Sequence, residues 1–232
     1  MEIKRLEWDS DFFGLRIGRA ELNSAEEARA LSDQSASVKE SFDLVYVVTP
    51  HNISFLASNA KMVDAKVVYA LSDGFCSEEN QDVMLWDRTK GVTDDLLYLA
   101  LVSGKYSRFK LDDGFPQGSF ERLYSCWIEQ SVNHTLATDV FCYMVDDIPR
   151  GLVTLDNNNG IGTIGLVSIH EGFQHRGIGS SMMRHVIHYL TRRQHGKKLS
   201  VATQLDNIPA CRLYEKSGFV VESVMDYYHW WL

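Results

Sequence analysis

Two motifs in the last third of this 232-residue chain carry residues that can bind an anion and donate a proton. The first is the stretch QHRGIGS at residues 174–180, which follows an apolar, β-branched run ending at Ile169. Its two glycines allow tight turns, and the helical pattern after them exposes unpaired N–H groups and a partial positive charge. The stretch therefore predicts a loop that binds a pyrophosphate through its backbone, with Arg176 as an added cation.

Other glycine loops fit this stretch less well. A Walker A loop needs a lysine directly after its last glycine, whereas Gly179 is followed by two serines. A Rossmann-type loop needs a third glycine, and Met182 stands at that position. A plain turn before a helix is the remaining alternative for this motif taken alone.

The second motif is NIPACRLYEKSGF at residues 207–219. Asn207 is placed to cap a helix or to bind a ligand, and Pro209 suits a first helical turn. Gly218 stands where the residue after a helix adopts a positive φ angle. Tyr214 lies on this helix, and a phenol with an ordinary pKa of about 10 is protonated at neutral pH and can donate a proton. The alternative is that Tyr214 is only a core aromatic residue.

The composition is that of a folded globular protein, with 45% hydrophobic and 23% charged residues. The formal net charge of −8 argues against nucleic acid as the main partner, because phosphate neutralisation needs a basic surface. The four cysteines form no CxxC pair, so we expect no metal site and no redox pair. No apolar run reaches the roughly 18–20 residues of a membrane span, and the N-terminus lacks a signal core, so we expect a cytoplasmic protein.

The order of apolar and turn residues predicts a mixed α/β fold. Runs at residues 141–145, 150–155 and 163–169, separated by turn residues, predict an antiparallel meander. Helices are predicted over residues 94–103, 120–132, 178–195 and 209–216, and further strands over 199–203 and 220–228.

The first half of the chain predicts a smaller α/β unit. It has a strand after a turn within residues 12–22, a helix over 24–40, strands at 44–49 and 65–71, and a helix opened by Pro50.

Residues 72–80, rich in small and acidic side chains, are the best linker candidate. We therefore predict an accessory α/β domain over residues 1–80 and a main domain over residues 81–232. Residues 56–69 also align without gaps with residues 213–226. Either any helix–turn–strand unit looks like this, or the first half is a reduced copy of the second.

Taken together, the two motifs resemble those of the GNAT superfamily of acetyl-CoA-dependent N-acetyltransferases. The phosphate loop of that family, Q/R-x-x-G-x-G/A, is matched by Gln174, Gly177 and Gly179. Its next segment, N-x-x-A-x-x-L-Y-x-x-x-G-F, is matched at Asn207, Ala210, Leu213, Tyr214, Gly218 and Phe219. The resemblance covers about the last third of the chain, and it implies a mixed, mostly antiparallel sheet flanked by helices, with acetyl-CoA as the cosubstrate.

The resemblance also implies roles for individual residues. The backbone of Val167 and Ile169 would pair with the pantetheine arm, and Asn207 and Ala210 would adjoin the cofactor. The pyrophosphate would lie on the amides of His175, Arg176, Gly177, Ile178, Gly179 and Ser180. Tyr214 would protonate the departing thiolate, and a backbone N–H near Ile169 would meet the oxyanion. No side chain is assigned as the base.

A narrower resemblance is to the TDP-fucosamine acetyltransferase family, which acetylates a TDP-4-amino-4,6-dideoxyhexose for surface polysaccharide assembly. It rests on residues 6–14, 107–110, 124–129 and 201–204. Arg108 and Lys110 are candidates for holding the diphosphate of such a nucleotide sugar, and Phe109 for stacking on its base or sugar. Exposed loop charge explains the two cations equally well.

Two other functions stay open at this point. One is a GNAT enzyme for a different small amine or for a protein N-terminus, and the other is a non-catalytic sensor that binds CoA without turnover. The aromatic run at residues 227–231 covers either a core face or the partner in a homodimer.

Overall fold

The computed structural model describes residues 2–72, 79–193 and 196–232. The strands are β1 Lys4–Arg5, β2 Ile17–Glu21, β3 Leu44–Pro50, β4 Ala60–Ser72, β5 Val83–Leu85, β6 Asp139–Val145, β7 Ile148–Asn158, β8 Ile161–Ile169, β9 Lys198–Gln204 and β10 Val220–Trp231. The α-helices are α1 Glu7–Phe13, α2 Ala25–Ser32, α3 Ser35–Ser41, α4 Asp94–Ser103, α5 Arg108–Leu111, α6 Ser119–Val132, α7 Ile178–His188 and α8 Ile208–Lys216. Short 3₁₀ turns lie at Arg88–Lys90 and Glu171–Phe173, and a π-helical turn, Tyr189–Arg193, extends α7.

All ten strands lie in one sheet, in the order β1-β2-β3-β10-β4-β9-β8-β7-β6-β5. The pairs β2–β3 and β8–β9 are parallel, and the remaining neighbours are antiparallel. The predicted fold class, a mixed and mostly antiparallel sheet flanked by helices, is confirmed. The β6–β7–β8 meander and the helices α4 and α6 lie where the sequence predicts them.

Strands from both halves of the chain alternate in this sheet. The last strand, β10, lies between β3 and β4, and β4 pairs with β9. The linker candidate at residues 72–80 falls largely outside the described residues, as do Cys76 and the predicted end of the long helix at residue 195. The division at residue 80 stays a prediction.

The two faces of the sheet carry different helical layers. Helices α7 and α8 cover one face, where a core of β4, β7, β8 and β9 side chains packs against Met182, Val186 and Tyr214. Helices α1, α4 and α6 cover the other face over β3, β6 and β7, around Leu99, Leu123 and other apolar side chains. We call these the α7–α8 face and the α4–α6 face.

Two local predictions in the first half are wrong. Pro50 ends β3 and opens no helix, because the Ile53 amide bonds to the Pro50 carbonyl at 2.9 Å and the Thr49 hydroxyl donates to the Ile53 carbonyl at 2.6 Å. These bonds form a turn that leads to β4. The predicted single helix over residues 24–40 is two shorter helices, α2 and α3, whereas the strand predicted within residues 12–22 is present as β2 after the end of α1 at Gly14. No helix among the described residues is long and apolar enough to cross a bilayer.

Candidate active site

The parallel strands β8 and β9 separate part-way along the sheet. They pair from Ile161 with Lys198 to Ile164 with Val201 and no further, although β8 continues to Ile169 on its β7 side. A bulge in β8 begins at this point, because the register with β7 shifts between Val153 and Leu155. The two strands therefore leave a wedge-shaped gap that is open at their carboxyl ends.

The backbone of β8 beyond the bulge points into this gap. The His170 amide donates to the Arg150 carbonyl of β7 at 2.9 Å. Since successive amides of a strand point to opposite sides, the N–H groups of Val167 and Ile169 point away from β7, towards β9. The Ile169 carbonyl on that side accepts a hydrogen bond from Gln174 Nε2 at 3.2 Å. An extended ligand chain can thus pair with β8 as an added strand.

The loop at the open end of the gap presents a row of free amides. His175 and Gly177 have φ angles of 61° and 79°, and α7 starts at the next residue, Ile178. Among the described residues, no hydrogen bond takes up the amide N–H groups of residues 175–180, whereas the Ser181 amide donates to the Gly177 carbonyl. Six consecutive donors at a helix start can hold an anion.

The side chains of this loop do not occupy that site. Arg176 folds back, donating to the Gly172 carbonyl at 3.0 Å, and its guanidinium lies 5.0 Å from the centre of the Phe173 ring. The Ile178 side chain is buried in the core. Ser180 stays partly exposed at the helix start. The loop can therefore hold an anion through its backbone, with the Arg176 cation alongside.

Tyr214 on α8 is buried in the same core that Val167, Ile169 and Ile178 line or contact. Its ring lies 5.7 Å from that of Tyr69 and 6.0 Å from that of Phe219. Its hydroxyl makes no hydrogen bond to a described residue, yet it is not among the fully buried polar atoms that lack a partner. The small exposed fraction of 3% therefore includes the hydroxyl.

Burial also fixes the protonation state of this phenol. Desolvation, with a smaller contribution from Cys211, raises the pKa of Tyr214 above its ordinary value of 10.0. The hydroxyl is thus protonated throughout the neutral range and can act as a donor.

Asn207 caps α8. Its Oδ1 accepts from the Ala210 amide at 3.4 Å, and its Nδ2 donates to Thr203 Oγ1 at 3.1 Å. The sequence predicted that Asn207 either caps a helix or binds a ligand, and the capping contact is present in the structure. Ala210 is partly buried and packs against the core beneath the helix. Gly218, with φ 90°, ends α8 with the predicted positive φ angle.

The three residues predicted to contact a nucleotide sugar lie on the α4–α6 face, in the short helix α5. The Arg108 guanidinium lies 4.8 Å from the ring centres of both Tyr46 and Tyr227. Phe109 packs with Phe13 at 5.5 Å between ring centres and contacts the α4–α6 core. Lys110 is exposed and lies over the Phe120 ring instead. Of these three predicted residues, Arg108 is the one that lies in a polar cluster.

Residues 106–219 match the sequence profile of the Acetyltransferase (GNAT) family. This part of the chain has the fold of the GNAT acetyltransferases. The match covers the meander, the gap, the loop at residues 174–180 and α8.

Relatives and solved structures extend this comparison. The chain is 25% identical over 141 residues to the "Spore coat polysaccharide biosynthesis protein SpsD" of Bacillus subtilis (strain 168), covering 61% of this chain and 48% of that protein. The chain thus matches about half the length of this curated relative. A GCN5-related N-acetyltransferase from Sphaerobacter thermophilus has a TM-score of 0.56 at 17% identity, covering 87% of this chain and 65% of its own. A functionally unknown conserved protein from Staphylococcus epidermidis ATCC 12228 has a TM-score of 0.61 at 14% identity, covering 92% and 82%.

One further polar residue near this site, Asp64 on β4, is not among the residues predicted from the sequence. Burial raises the pKa of its carboxyl from 3.8 to about 6, against the opposing charges of Arg108 and Lys66. Its Oδ1 is fully buried and has no hydrogen-bond partner. An aspartate inside the β-rich run at residues 60–71 was the available signal, because an acidic residue weakens a central strand.

Proposed function

We propose that the protein is an acetyl-CoA-dependent N-acetyltransferase that acts on a small amine. The observation that carries this proposal is the gap between β8 and β9, with six free amides at its open end and a buried, protonated phenol in the core beside it. A diphosphate fits the amides of residues 175–180. A pantetheine arm fits the free edge of β8 at Val167 and Ile169.

Acetyl-CoA supplies a thioester whose carbonyl carbon an amine can attack directly. Within the chain, a backbone N–H of β8 near Ile169 is the donor for the oxyanion that forms on the carbonyl oxygen. Tyr214 donates a proton to the departing thiolate, since its raised pKa keeps the phenol protonated. Holding both reactants at one gap supplies much of the acceleration.

We further propose that the acceptor is a nucleotide-linked amino sugar, such as a TDP-4-amino-4,6-dideoxyhexose. The name of the Bacillus subtilis relative, a spore coat polysaccharide biosynthesis protein, supports a sugar substrate. Around the Tyr227 ring lie three cations, Arg19 at 5.6 Å, Lys66 at 5.8 Å and Arg108 at 4.8 Å. Arg19 is paired with Glu21 at 2.8 Å, but Lys66 and Arg108 give this site two further cations in a chain with a net charge of −8, which suits a diphosphate.

Thermal-shift measurements with CoA test the proposed cosubstrate, and the same measurements with TDP-sugars test the proposed acceptor. A ligand that binds the folded protein raises its melting temperature by mass action, so we expect a shift with each. Release of CoA thiol, measured with a panel of TDP-amino sugars, amino acids, aminoglycosides and peptides, then identifies the acceptor. No CoA shift at saturating ligand would overturn the enzyme proposal. A CoA-induced shift without turnover of any amine would favour a sensor. Turnover of another amine but of no TDP-amino sugar would overturn only the proposal that the acceptor is a nucleotide sugar.

A further inference from the structure

On the α4–α6 face, the centre of the sheet is open where the gap begins, although Leu166 and Ser168 beyond that point are buried. Gly162 and Ile164 of β8 face the α7–α8 core, so the side chain of Thr163 points to the other face. Thr163, Gly165 and Ala202 are all exposed, although β8 and β9 are central strands of a ten-stranded sheet. Because helices normally cover a central strand on both faces, this exposed floor of small residues leaves room for a ligand, and we call it the cleft.

Asp64 borders this cleft at the end of β9. Pairing of β4 with β9 ends at Lys66 and Gln204, and the Leu205 amide still reaches the Ala65 carbonyl at 2.8 Å. Val67 faces the α7–α8 core, so Asp64 and Lys66, at even positions of the strand, face the cleft side. Asp64 thus lies at the carboxyl end of β9, the same edge of the sheet at which the gap opens.

The polar atoms beside this cleft lack partners. The Asp64 Oδ1 and the Arg108 Nε are fully buried without a hydrogen bond. A buried, unpaired polar atom costs free energy, and these two leave the site short of partners that a polar ligand can supply. An ammonium offers donors to the carboxylate, and a second polar group of the ligand offers an acceptor to Arg108.

We infer that Asp64 binds the acceptor's ammonium group in this cleft and takes the proton that the amine must lose before it attacks the thioester. This inference rests on the proposed function and names the base for it. The amine nitrogen of the acceptor would enter from the α4–α6 face, while the thioester would lie in the gap beyond the exposed floor at Gly165 and Ala202.

The proton balance of this step is complete. The ammonium transfers one proton to the Asp64 carboxylate, and the nitrogen lone pair then forms the C–N bond while the carbonyl π electrons move to oxygen. The new C–N nitrogen loses its second proton to water, the C–S bond breaks, and the thiolate takes a proton from Tyr214. Asp64 passes its proton to solvent and Tyr214 regains one, so one net proton is released for each acetyl group transferred.

The charged groups around Asp64 suit this role. Burial is the largest cause and raises the pKa of the carboxyl to about 6. Arg108 on α5, Lys66 on β4 and a hydrogen bond with the Gln204 side chain lower it, and Asp206 after β9 raises it. The Tyr124 phenol on α6 also lies within electrostatic reach of Asp64, and Tyr227 of β10 is its partner in the sheet. The carboxyl is therefore ionised above about pH 6 but binds a proton more readily than an ordinary aspartate.

The test is the pH profile of the Asp64→Asn variant with the acceptor amine at saturation. For the wild type, we expect kcat to rise with pH through an acidic limb near pH 6. In D64N, we expect this limb to disappear and kcat to fall by about 100-fold or more, with the KM for acetyl-CoA unchanged. The matched control is Asp206→Asn, which removes an exposed carboxylate close by. It should keep the rate and retain an acidic limb, moved to slightly lower pH because Asp206 raises the pKa of Asp64.

Asp64→Glu provides a second variant that retains a carboxylate. We expect it to recover part of the rate together with an acidic limb. An unchanged limb in D64N, or a fall of less than threefold in kcat, would overturn the inference, as would a rise in acceptor KM alone. If CoA raises the melting temperature of D64N as much as that of the wild type, the cosubstrate site is intact, and the lower kcat comes from loss of the base. A wild type that neither binds CoA nor acetylates any amine would overturn the proposed function, and the inference with it.

Discussion

A Cβ atom added to Gly179 on α7 would lie 3.3 Å from Cδ2 of Leu213 on α8. The missing side chain lets the two helices approach each other beside Ile169, whose Cγ1 would be 4.0 Å from the same point. The helix that begins with the free amides and the helix that carries Tyr214 are thus packed against each other. The two sequence motifs therefore form one site, and a change in their packing alters both the anion loop and the phenol.

Gly179→Val tests this packing. The added methyl groups have no room beside Leu213, and overpacking of a core typically costs about 1–3 kcal/mol. We expect the melting temperature to fall by about 2–12 °C for a chain of this size, and the CoA-induced shift to diminish. Differential scanning fluorimetry with and without CoA measures both. Gly172→Ala is the control, because its Cβ would meet only the His170 ring at 3.5 Å. Equal CoA shifts in G179V and G172A would contradict the prediction.

Gly177→Ala tests the backbone of the anion loop without adding a clash. Gly177 has φ 79°, and an added Cβ would meet nothing within 4 Å. A non-glycine residue in this conformation costs roughly 1–2 kcal/mol, so we expect the KM for acetyl-CoA to rise about 5- to 30-fold as the loop relaxes. Steady-state kinetics with varied acetyl-CoA measure the change. Gly177→Asn should lose less, since asparagine tolerates positive φ; identical losses would argue against a backbone cause.

Much of the fold could be predicted from the sequence, because its elements have clear local signals. The meander shows alternation between turn residues, and α8 has a cap at Asn207 and a glycine at 218. The turn after Pro50 could not be predicted, since it depends on the Thr49 hydroxyl bonding to the Ile53 carbonyl. The insertion of β10 between β3 and β4 is a long-range pairing that no local pattern encodes.

Some features of the site could likewise be predicted from the sequence, and others could not. The free amides of residues 175–180 follow from a glycine loop before a helix, which is a local property. The environment of Arg108 is not local, since it combines Tyr46 from β3, Tyr227 from β10 and Asp64 from β4. These strands become neighbours only in the completed sheet. Arg108, Phe109 and Lys110 are adjacent in sequence, yet the helix α5 directs them to three different surroundings.

Tyr214→Phe removes the proposed proton donor and little else. Because the hydroxyl has no hydrogen-bond partner among the described residues, the melting temperature should stay nearly unchanged. We expect kcat to fall by about 100-fold, with the CoA-induced shift retained. Since burial raises the pKa of Tyr214 above 10.0, the wild type should show no basic limb from this group below about pH 10. Tyr69→Phe, which loses a bond to Glu215 at 3.1 Å, is the control and should keep its kcat. A Y214F enzyme with wild-type kcat would leave the phenol a structural role only.

Asp64→Asn should stabilise the ligand-free protein at neutral pH. The pKa of the carboxyl is about 6 in the folded protein and 3.8 ordinarily, so the folded state binds the proton more tightly than the unfolded state. Wild-type stability therefore falls as pH rises from about 4 to 6, and stays reduced above that range. After allowance for partial solvent exposure, we expect D64N to melt about 2–4 °C higher than wild type at pH 7.5. The difference should vanish near pH 4 in melting curves of both proteins, and a variant that is less stable at pH 7.5 would contradict the burial of this charge.

Arg108→Met separates the two roles given to the polar cluster. The methionine keeps the volume beside Tyr46 and Tyr227 but removes the cation. We expect the KM for an anionic acceptor to rise about 10- to 100-fold, as for the loss of a desolvated charge pair of about 1.4–2.8 kcal/mol.

The same variant should also shift the acidic limb of kcat. Because the Arg108 charge lowers the pKa of Asp64, its loss raises that pKa, and the limb moves to higher pH. Lys110→Met is the matched control, since Lys110 lies exposed over the Phe120 ring and should change neither quantity. If R108M raised the KM and left the limb in place, Arg108 would contact the acceptor without affecting the pKa of Asp64. If K110M raised the KM as much as R108M does, the distinction between the two cations would be wrong. These two residues lie two positions apart on one short helix, so a difference between R108M and K110M comes from the different surroundings of the two side chains.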